Sequence, residues 1–222
     1  MKKSTNKMVV SGMMIALGSI LSMLKLYELP FGGTVTVASM VPVVLVGYIY
    51  GVKWGLFTSF IYSVLQLILG VATGIVSRMF LPGDEQMVLT AAISICVLDY
   101  ILAYVMLGFG GVFKGKMKSK QMEIVLGAAL CIFLCWVMHT LSGFIFYGAW
   151  AEWFFSDAAT GLAQIPALTG FCNWVLSTMN GKTLALFYSM VYNGAYMLPE
   201  LVITAVFAPV VFGALKRSSL VE

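Results

Sequence analysis

Apolar residues in this chain come in runs long enough to cross a bilayer, separated by short polar punctuation. A membrane span needs about 20 apolar residues. On that ruler six helices are expected, at roughly 8–27, 36–50, 54–73, 87–112, 122–149 and 184–214. Gly51-Val52-Lys53-Trp54-Gly55 forms a tight basic turn between the second and third, and Lys114, Lys116, Lys118 and Lys120 mark a basic linker between the fourth and fifth. Residues 150–182 break the rhythm. They are too long for an ordinary loop, rich in Trp and Phe (Trp150, Trp153, Phe154, Phe155, Phe171, Trp174), and interrupted by Gly161, Pro166 and Gly170. That pattern reads as a long outer loop or interfacial segment with aromatics at headgroup depth. No internal repeat is visible, which argues against an inverted-repeat architecture. The expected fold class is an all-α integral membrane protein, a single six-transmembrane-helix bundle over 1–222.

Composition agrees with this reading. The chain is 61% hydrophobic and 10% charged, where soluble domains carry about 25% charged residues. The basic N-terminus precedes an apolar stretch as long as a full span with no small-residue cleavage site, so the stretch is expected to be the first helix. Charge distribution then sets the orientation. With the N-terminus inside, Lys2, Lys3, Lys7, Lys53, the four linker lysines, Lys216 and Arg217 face the cytoplasm, ten of the 13 basic residues. Lys25, Arg78 and Lys182 fall outside, together with Glu28, Asp84, Glu85, Glu152 and Asp157. Both termini are therefore expected in the cytoplasm, and the basic balance calls for no nucleic-acid partner.

Polar residues inside the apolar runs carry the candidate chemistry. Asp99 lies in Ala91–Leu107, where a charge at mid-membrane costs about 2.5–3.5 kcal/mol on insertion scales. It must face a polar interior, a partner or a ligand. The fifth helix contributes His139, the only histidine, with Ser142 one turn on. A Ser–His hydrolase would also need an orienting acid and an oxyanion hole, and neither G-x-S-x-G nor H-E-x-x-H occurs. A single histidine does not make a metal site. Asn180-Gly181-Lys182-Thr183 resembles the tail of a phosphate-binding loop, but Leu176 stands where its first glycine is required. No ATP site is expected. Cys96, Cys131, Cys135 and Cys172 sit in apolar sequence and read as buried free thiols.

On the sixth helix Tyr188, Tyr192, Tyr196 and Pro199 share one stripe, with Asn193 beside it and Glu200 deeper. Tyrosines at this level read as headgroup-belt residues. Asn193 has four hydrogen-bonding valences to satisfy, and Glu200 is expected to pair with another helix or to sit at a subunit interface. Asp99, His139, Asn193 and the aromatics Tyr62, Tyr100, Tyr147 and Tyr188 together suit an outward pocket for a flat, cationic or hydrogen-bonding heterocycle. Gly12, Ala16 and Ser19 form a small-residue face on the first helix. Such a face serves packing within the bundle or docking onto another membrane protein.

Several stretches together resemble the substrate-binding S-components of energy-coupling factor (ECF) vitamin transporters, of the thiamine-specific type (ThiT, also called YuaJ). They are Leu29 through Thr36 leading to Val41-Pro42, Gly51 through Leu56, Leu98 through Tyr104, His139 through Gly148, and Tyr188 through Pro199. The resemblance implies a non-enzymatic subunit of the bacterial cell membrane, multi-pass, that binds thiamine on the outer side. Residues 28–36, the first outer loop, would act as its lid. It implies that Asp99 contacts the aminopyrimidine with Tyr100 beside it, and that Tyr147 stacks. His139 would line the ring pocket, Tyr188 and Asn193 would complete it, and Tyr62 would add an aromatic. It also implies docking through Gly12, Ala16 and Ser19 to a transmembrane coupling subunit, with two cytoplasmic ATPase subunits supplying ATP and no cofactor on this chain. Some family members carry Glu at the Asp99 position, Trp at Tyr147 and an aromatic at Gly33. Two other expectations fit the residues without the resemblance: an S-component for another vitamin or thiamine precursor, and a stand-alone carrier coupled to protons through Asp99 or Glu200.

Overall fold

The apolar runs fold into helices packed side by side in a computed structural model that describes residues 3–29, 32–83 and 85–218. Lys2, Pro30, Phe31 and Asp84, which figure in the charge count and the first-loop motif, lie outside the described residues. Helix α1 (Lys3–Ser22) leads into an antiparallel hairpin, β1 (Lys25–Glu28) against β2 (Thr34–Thr36), in which Tyr27 faces Val35. Helix α2 (Val41–Tyr50) and helix α3 (Val52–Ala72) follow, separated only by Gly51 at φ 90°. Then come α4 (Leu89–Gly111), α5 (Lys120–Phe146), the short α6 (Ala151–Ser156), α7 (Thr169–Thr178) and the long α8 (Gly181–Arg217).

Four of these, α3, α4, α5 and α8, are long and apolar enough to cross a membrane. The second expected helix is the main departure. It was expected from residue 36 but begins at Val41, because residues 34–36 pair in the hairpin and Ala38 takes a left-handed φ of 58°. Its ten residues span about 15 Å, half the hydrocarbon thickness. The first helix likewise ends at Ser22 rather than near 27, and the expected loop 28–36 closes a strand pair. The fold is thus mostly helical, with one small sheet.

Residues 150–182 pack rather than trail. Phe154, Phe155, Cys172 and Val175 bury their side chains. Phe155 stacks on Phe187 at 6.1 Å between ring centroids, and Phe154 meets Tyr188 edge-on at 5.2 Å. Asp157 closes the turn between them by accepting the N–H groups of Ala159 (2.7 Å) and Thr160 (2.8 Å), which hold its carboxyl below the usual range.

At one end of the bundle the backbones come within contact distance. A Cβ on Gly108 would strike the Leu56 backbone, and one on Gly110 the Val44 carbonyl, so α2, α3 and the last turn of α4 meet there only because glycines are present. Helix α1 and the end of α8 meet here, where Val10 and Met14 pack with Phe212 and Leu215. The basic residues gather here too. Lys7 lies 4.1 Å over the Trp54 ring, and Lys114 donates to the Ile49 carbonyl. Lys25 and Arg78 sit elsewhere, beside the hairpin and the α3–α4 connection, each neutralised by a glutamate, Glu28 at 2.7 Å and Glu85 at 3.0 Å.

Candidate ligand-binding site

Midway along α4 the helix widens into a π-helical segment, Cys96–Leu102. Such bulges are frequent at functional sites, where the wider turn re-aims the side chains that follow. Here the segment carries Asp99 and Tyr100. Asp99 Oδ1 accepts from His139 Nδ1 at 2.9 Å, and Oδ2 accepts the Ser142 hydroxyl at 2.8 Å. His139 and Ser142 are three residues apart on α5 and share a face. The Asp99 partner also fixes the His139 tautomer, with the proton on Nδ1.

Helix α8 completes the cluster. Asn193 Nδ2 donates to the Ser189 carbonyl (2.8 Å) and to the His139 carbonyl (3.2 Å), while its Oδ1 accepts the Tyr196 hydroxyl at 2.7 Å. Ser189 donates to the Thr140 carbonyl at 2.7 Å. These cross-links need α5 and α8 close together, and Gly143 permits it, since a Cβ there would collide with the Ser189 hydroxyl. The His139 ring stands edge-on between Tyr104 (6.3 Å) and Tyr196 (6.0 Å).

Beside this network lies a cavity of about 270 Å³. Of the expected site residues, Asp99, Tyr100, His139, Tyr147, Tyr188 and Asn193 all line it. Tyr62 is not among its lining residues. It is 0% exposed and packs edge-on against the cavity-lining Tyr104 at 5.6 Å, one layer behind the wall. The hairpin forms another side, where Gly33 donates its N–H to the Tyr192 hydroxyl at 3.3 Å. A side chain at Gly33 would meet the Tyr196 ring and the Tyr192 hydroxyl, so there is no room for an aromatic residue at this position.

Two expectations about α8 are corrected. Tyr188, Tyr192 and Tyr196 are buried wall residues rather than a headgroup belt, because α6 and the hairpin cover them. Glu200 lies at no subunit interface. It is fully buried, lines the cavity, and pairs with the hairpin instead of a helix, through the Thr36 N–H and hydroxyl. Gln66, Tyr104 and Trp150 also line the cavity, of which Trp150 is expected from the sequence only as a headgroup-depth aromatic, Tyr104 only as the end of a matching stretch, and Gln66 not at all. On α1, Gly12 and Ala16 point outward and Ser19 is half-buried, while Ser11, Met14, Ile15 and Gly18 make the inward face.

The chemistry of the cluster is recognition rather than hydrolysis. Ser142 and His139 both donate to Asp99, so the link from nucleophile to base that a hydrolytic dyad requires is taken up by the acid. Among the described residues no three His, Cys, Asp or Glu side chains group as a metal site would require. The four cysteines are free and buried, Cys131 and Cys135 each directed at a carbonyl of α4. Long apolar helices enclosing a polar, tyrosine-walled cavity define a membrane transport protein. A family profile described as "Thiamine transporter protein (Thia_YuaJ)" matches residues 8–168, and the chain belongs to that family, one of transporters and not of enzymes. The chain is also similar to the thiamine transporter ThiT of Bacillus subtilis (strain 168), with 24% identity over 199 residues that cover 86% of this chain and 80% of that protein.

Proposed function

We propose that this chain captures thiamine from outside the cell as the substrate-binding S-component of an ECF-type transporter. The observation that carries the reading is the Asp99–His139–Ser142 network, a carboxylate with fixed donors on the apolar helices α4 and α5 beside an aromatic-walled cavity. Such a site suits a flat ring with hydrogen-bonding edges. Asp99 then faces the aminopyrimidine with Tyr100, Tyr147 stacks on a ring, and His139, Tyr188 and Asn193 complete the walls. Tyr62 supports Tyr104 from behind.

The bundle acts as one domain over 1–222 with six membrane segments and both termini cytoplasmic in the bacterial cell membrane. The gathering of Lys7, Lys114 and the last turns of α8 at the end with the glycine contacts supports that orientation. The hairpin around 28–36 serves as the lid, and 150–182 shields the α8 tyrosines from the outer side. The outward placement of Gly12 and Ala16 supports docking of a transmembrane coupling subunit on α1, with two ATPase subunits below it.

Mass spectrometry of the small molecule that co-purifies with the detergent-solubilised protein tests the ligand. Thiamine at near one-to-one occupancy is expected, and a different vitamin would overturn the assignment. Uptake in cells tests the partners. Loss of thiamine accumulation on deleting the ATPases is expected, whereas uptake that survives the deletion and collapses with a protonophore would identify a proton-coupled carrier.

A further inference from the structure

Two carboxylates line the cavity away from its exposed rim, and they are satisfied differently. Asp99 has a protein donor on each oxygen. Glu200 lies one turn beyond Tyr196 on α8 and is 0% exposed. Its Oε1 accepts both the Thr36 N–H (2.5 Å) and the Thr36 hydroxyl (2.6 Å), and that hydroxyl is held in turn by Ser39 at 2.6 Å. Its Oε2 is buried with no hydrogen-bond partner among the described residues. None of the ion pairs found among those residues involves Glu200.

A carboxylate removed from water needs donors on both oxygens, since an unmatched buried acceptor carries the whole desolvation cost. An unpartnered buried polar atom calls for an explanation, and on a residue that lines a cavity a donor group of the ligand supplies one. The hydroxyls of Tyr62 on α3 and of Thr204, one turn further along α8, are buried without partners of their own among the described residues and do not bond Oε2, while three others are committed elsewhere. Thr36 is spent on Oε1, the Tyr196 hydroxyl on Asn193 and the Tyr192 hydroxyl lies at Gly33.

We infer that Glu200 is a ligand-recognition residue whose Oε2 accepts an N–H of the bound heterocycle, the exocyclic amine of an aminopyrimidine, while its Oε1 holds strand β2 over the same ligand. This rests on the thiamine reading above. One side chain then serves two tasks, reading the amine and keeping the hairpin down. Ligand binding and lid closure reinforce each other because each orients the carboxylate that the other uses.

The test compares thiamine with oxythiamine, in which a carbonyl replaces the exocyclic amine, by titration calorimetry on the full-length protein and on Glu200→Gln. The glutamine keeps an amide oxygen for Thr36 and turns the Oε2 position into a donor. Wild-type protein should prefer thiamine by at least about tenfold, the scale of one unmatched buried hydrogen bond. In Glu200→Gln thiamine should weaken by about tenfold or more while oxythiamine holds or improves, so that the preference narrows or reverses. Equal weakening of both ligands, or no change in either, would mean that Glu200 only braces the hairpin and would overturn the inference. So would a wild-type protein that does not distinguish the two. If Glu200→Gln does not yield folded protein, Glu200→Asp withdraws the carboxylate by one methylene and gives the same ratio, with selective loss of thiamine expected and proportional loss of both ligands contradicting it. Wild-type protein that binds no thiamine at all would instead refute the proposed function.

Discussion

Replacing Asp99 by asparagine removes a charge and little else. The side chain keeps its size, and Asp99 and His139 are mostly buried, with side chains 20% and 11% exposed. What changes is the set of hydrogen bonds. Asp99 accepts from His139 at 2.9 Å and from Ser142 at 2.8 Å. Hydrogen bonds to a charged group contribute about 1.5–3 kcal/mol each, against about 1 kcal/mol for neutral pairs. In Asp99→Asn one oxygen becomes an NH₂ group. Ser142 can rotate to accept from it, while the remaining amide oxygen still accepts from His139 as a neutral and weaker acceptor. The bundle therefore keeps its network at modest cost, whereas the ligand loses an ionised partner. A loss of about 1–3 kcal/mol, or roughly ten- to hundredfold in thiamine affinity, is expected. Titration calorimetry with purified Asp99→Asn measures it, with thermal melting as the check on folding and Ile93→Val, on the exposed face of α4, as a comparison variant. Wild-type affinity in a well-folded Asp99→Asn protein would refute the reasoning and leave Asp99 as a helix-packing residue.

Other positions give independent tests. Asn193→Ala removes the bond that ties α8 to the His139 carbonyl of α5 and the one that holds the Tyr196 hydroxyl within α8, and should lower stability by about 1–3 kcal/mol, read as a drop in melting temperature without ligand. Gly33→Trp must displace Tyr196 and Tyr192. Faster thiamine dissociation in stopped-flow fluorescence is expected, and unchanged kinetics would show that the hairpin does not cover the site. Gly12→Leu enlarges an outward face with open space around it, so thiamine binding by the purified subunit should persist while uptake in cells falls. Gly108→Ala drives a methyl into the Leu56 backbone and should cost folded protein at the opposite end of the bundle, measured as loss of monodisperse material on size exclusion.

The parts of this molecule that were legible in the sequence are those governed by the cost of polar atoms in hydrocarbon. Asp99, His139 and Asn193 stood out because each interrupts an apolar run, and the structure brings them into one network. The four long helices were legible for the same reason. Local geometry was not. Over the seven residues Cys96–Leu102, a π-helix and an α-helix present nearly the same hydrophobic order, so the bulge that aims Asp99 left no trace in the pattern. The hairpin was missed because all four β1 residues are exposed and no alternation marks a strand. Glu200 could be seen as anomalous but not placed, since its partner Thr36 is 164 positions away. The α8 tyrosines were misread as a belt because their cover, α6 and its neighbours, folds from a segment with no clean periodicity.

The central claim is that the cavity bounded by Asp99, His139 and Asn193 holds thiamine. Titration of thiamine into ligand-free wild-type protein, repeated with Asp99→Asn, tests it most directly. Saturation at one thiamine per chain, with affinity lowered by about tenfold or more in the variant, is the predicted result. Absence of saturable binding, or saturation that the substitution leaves untouched, would contradict it.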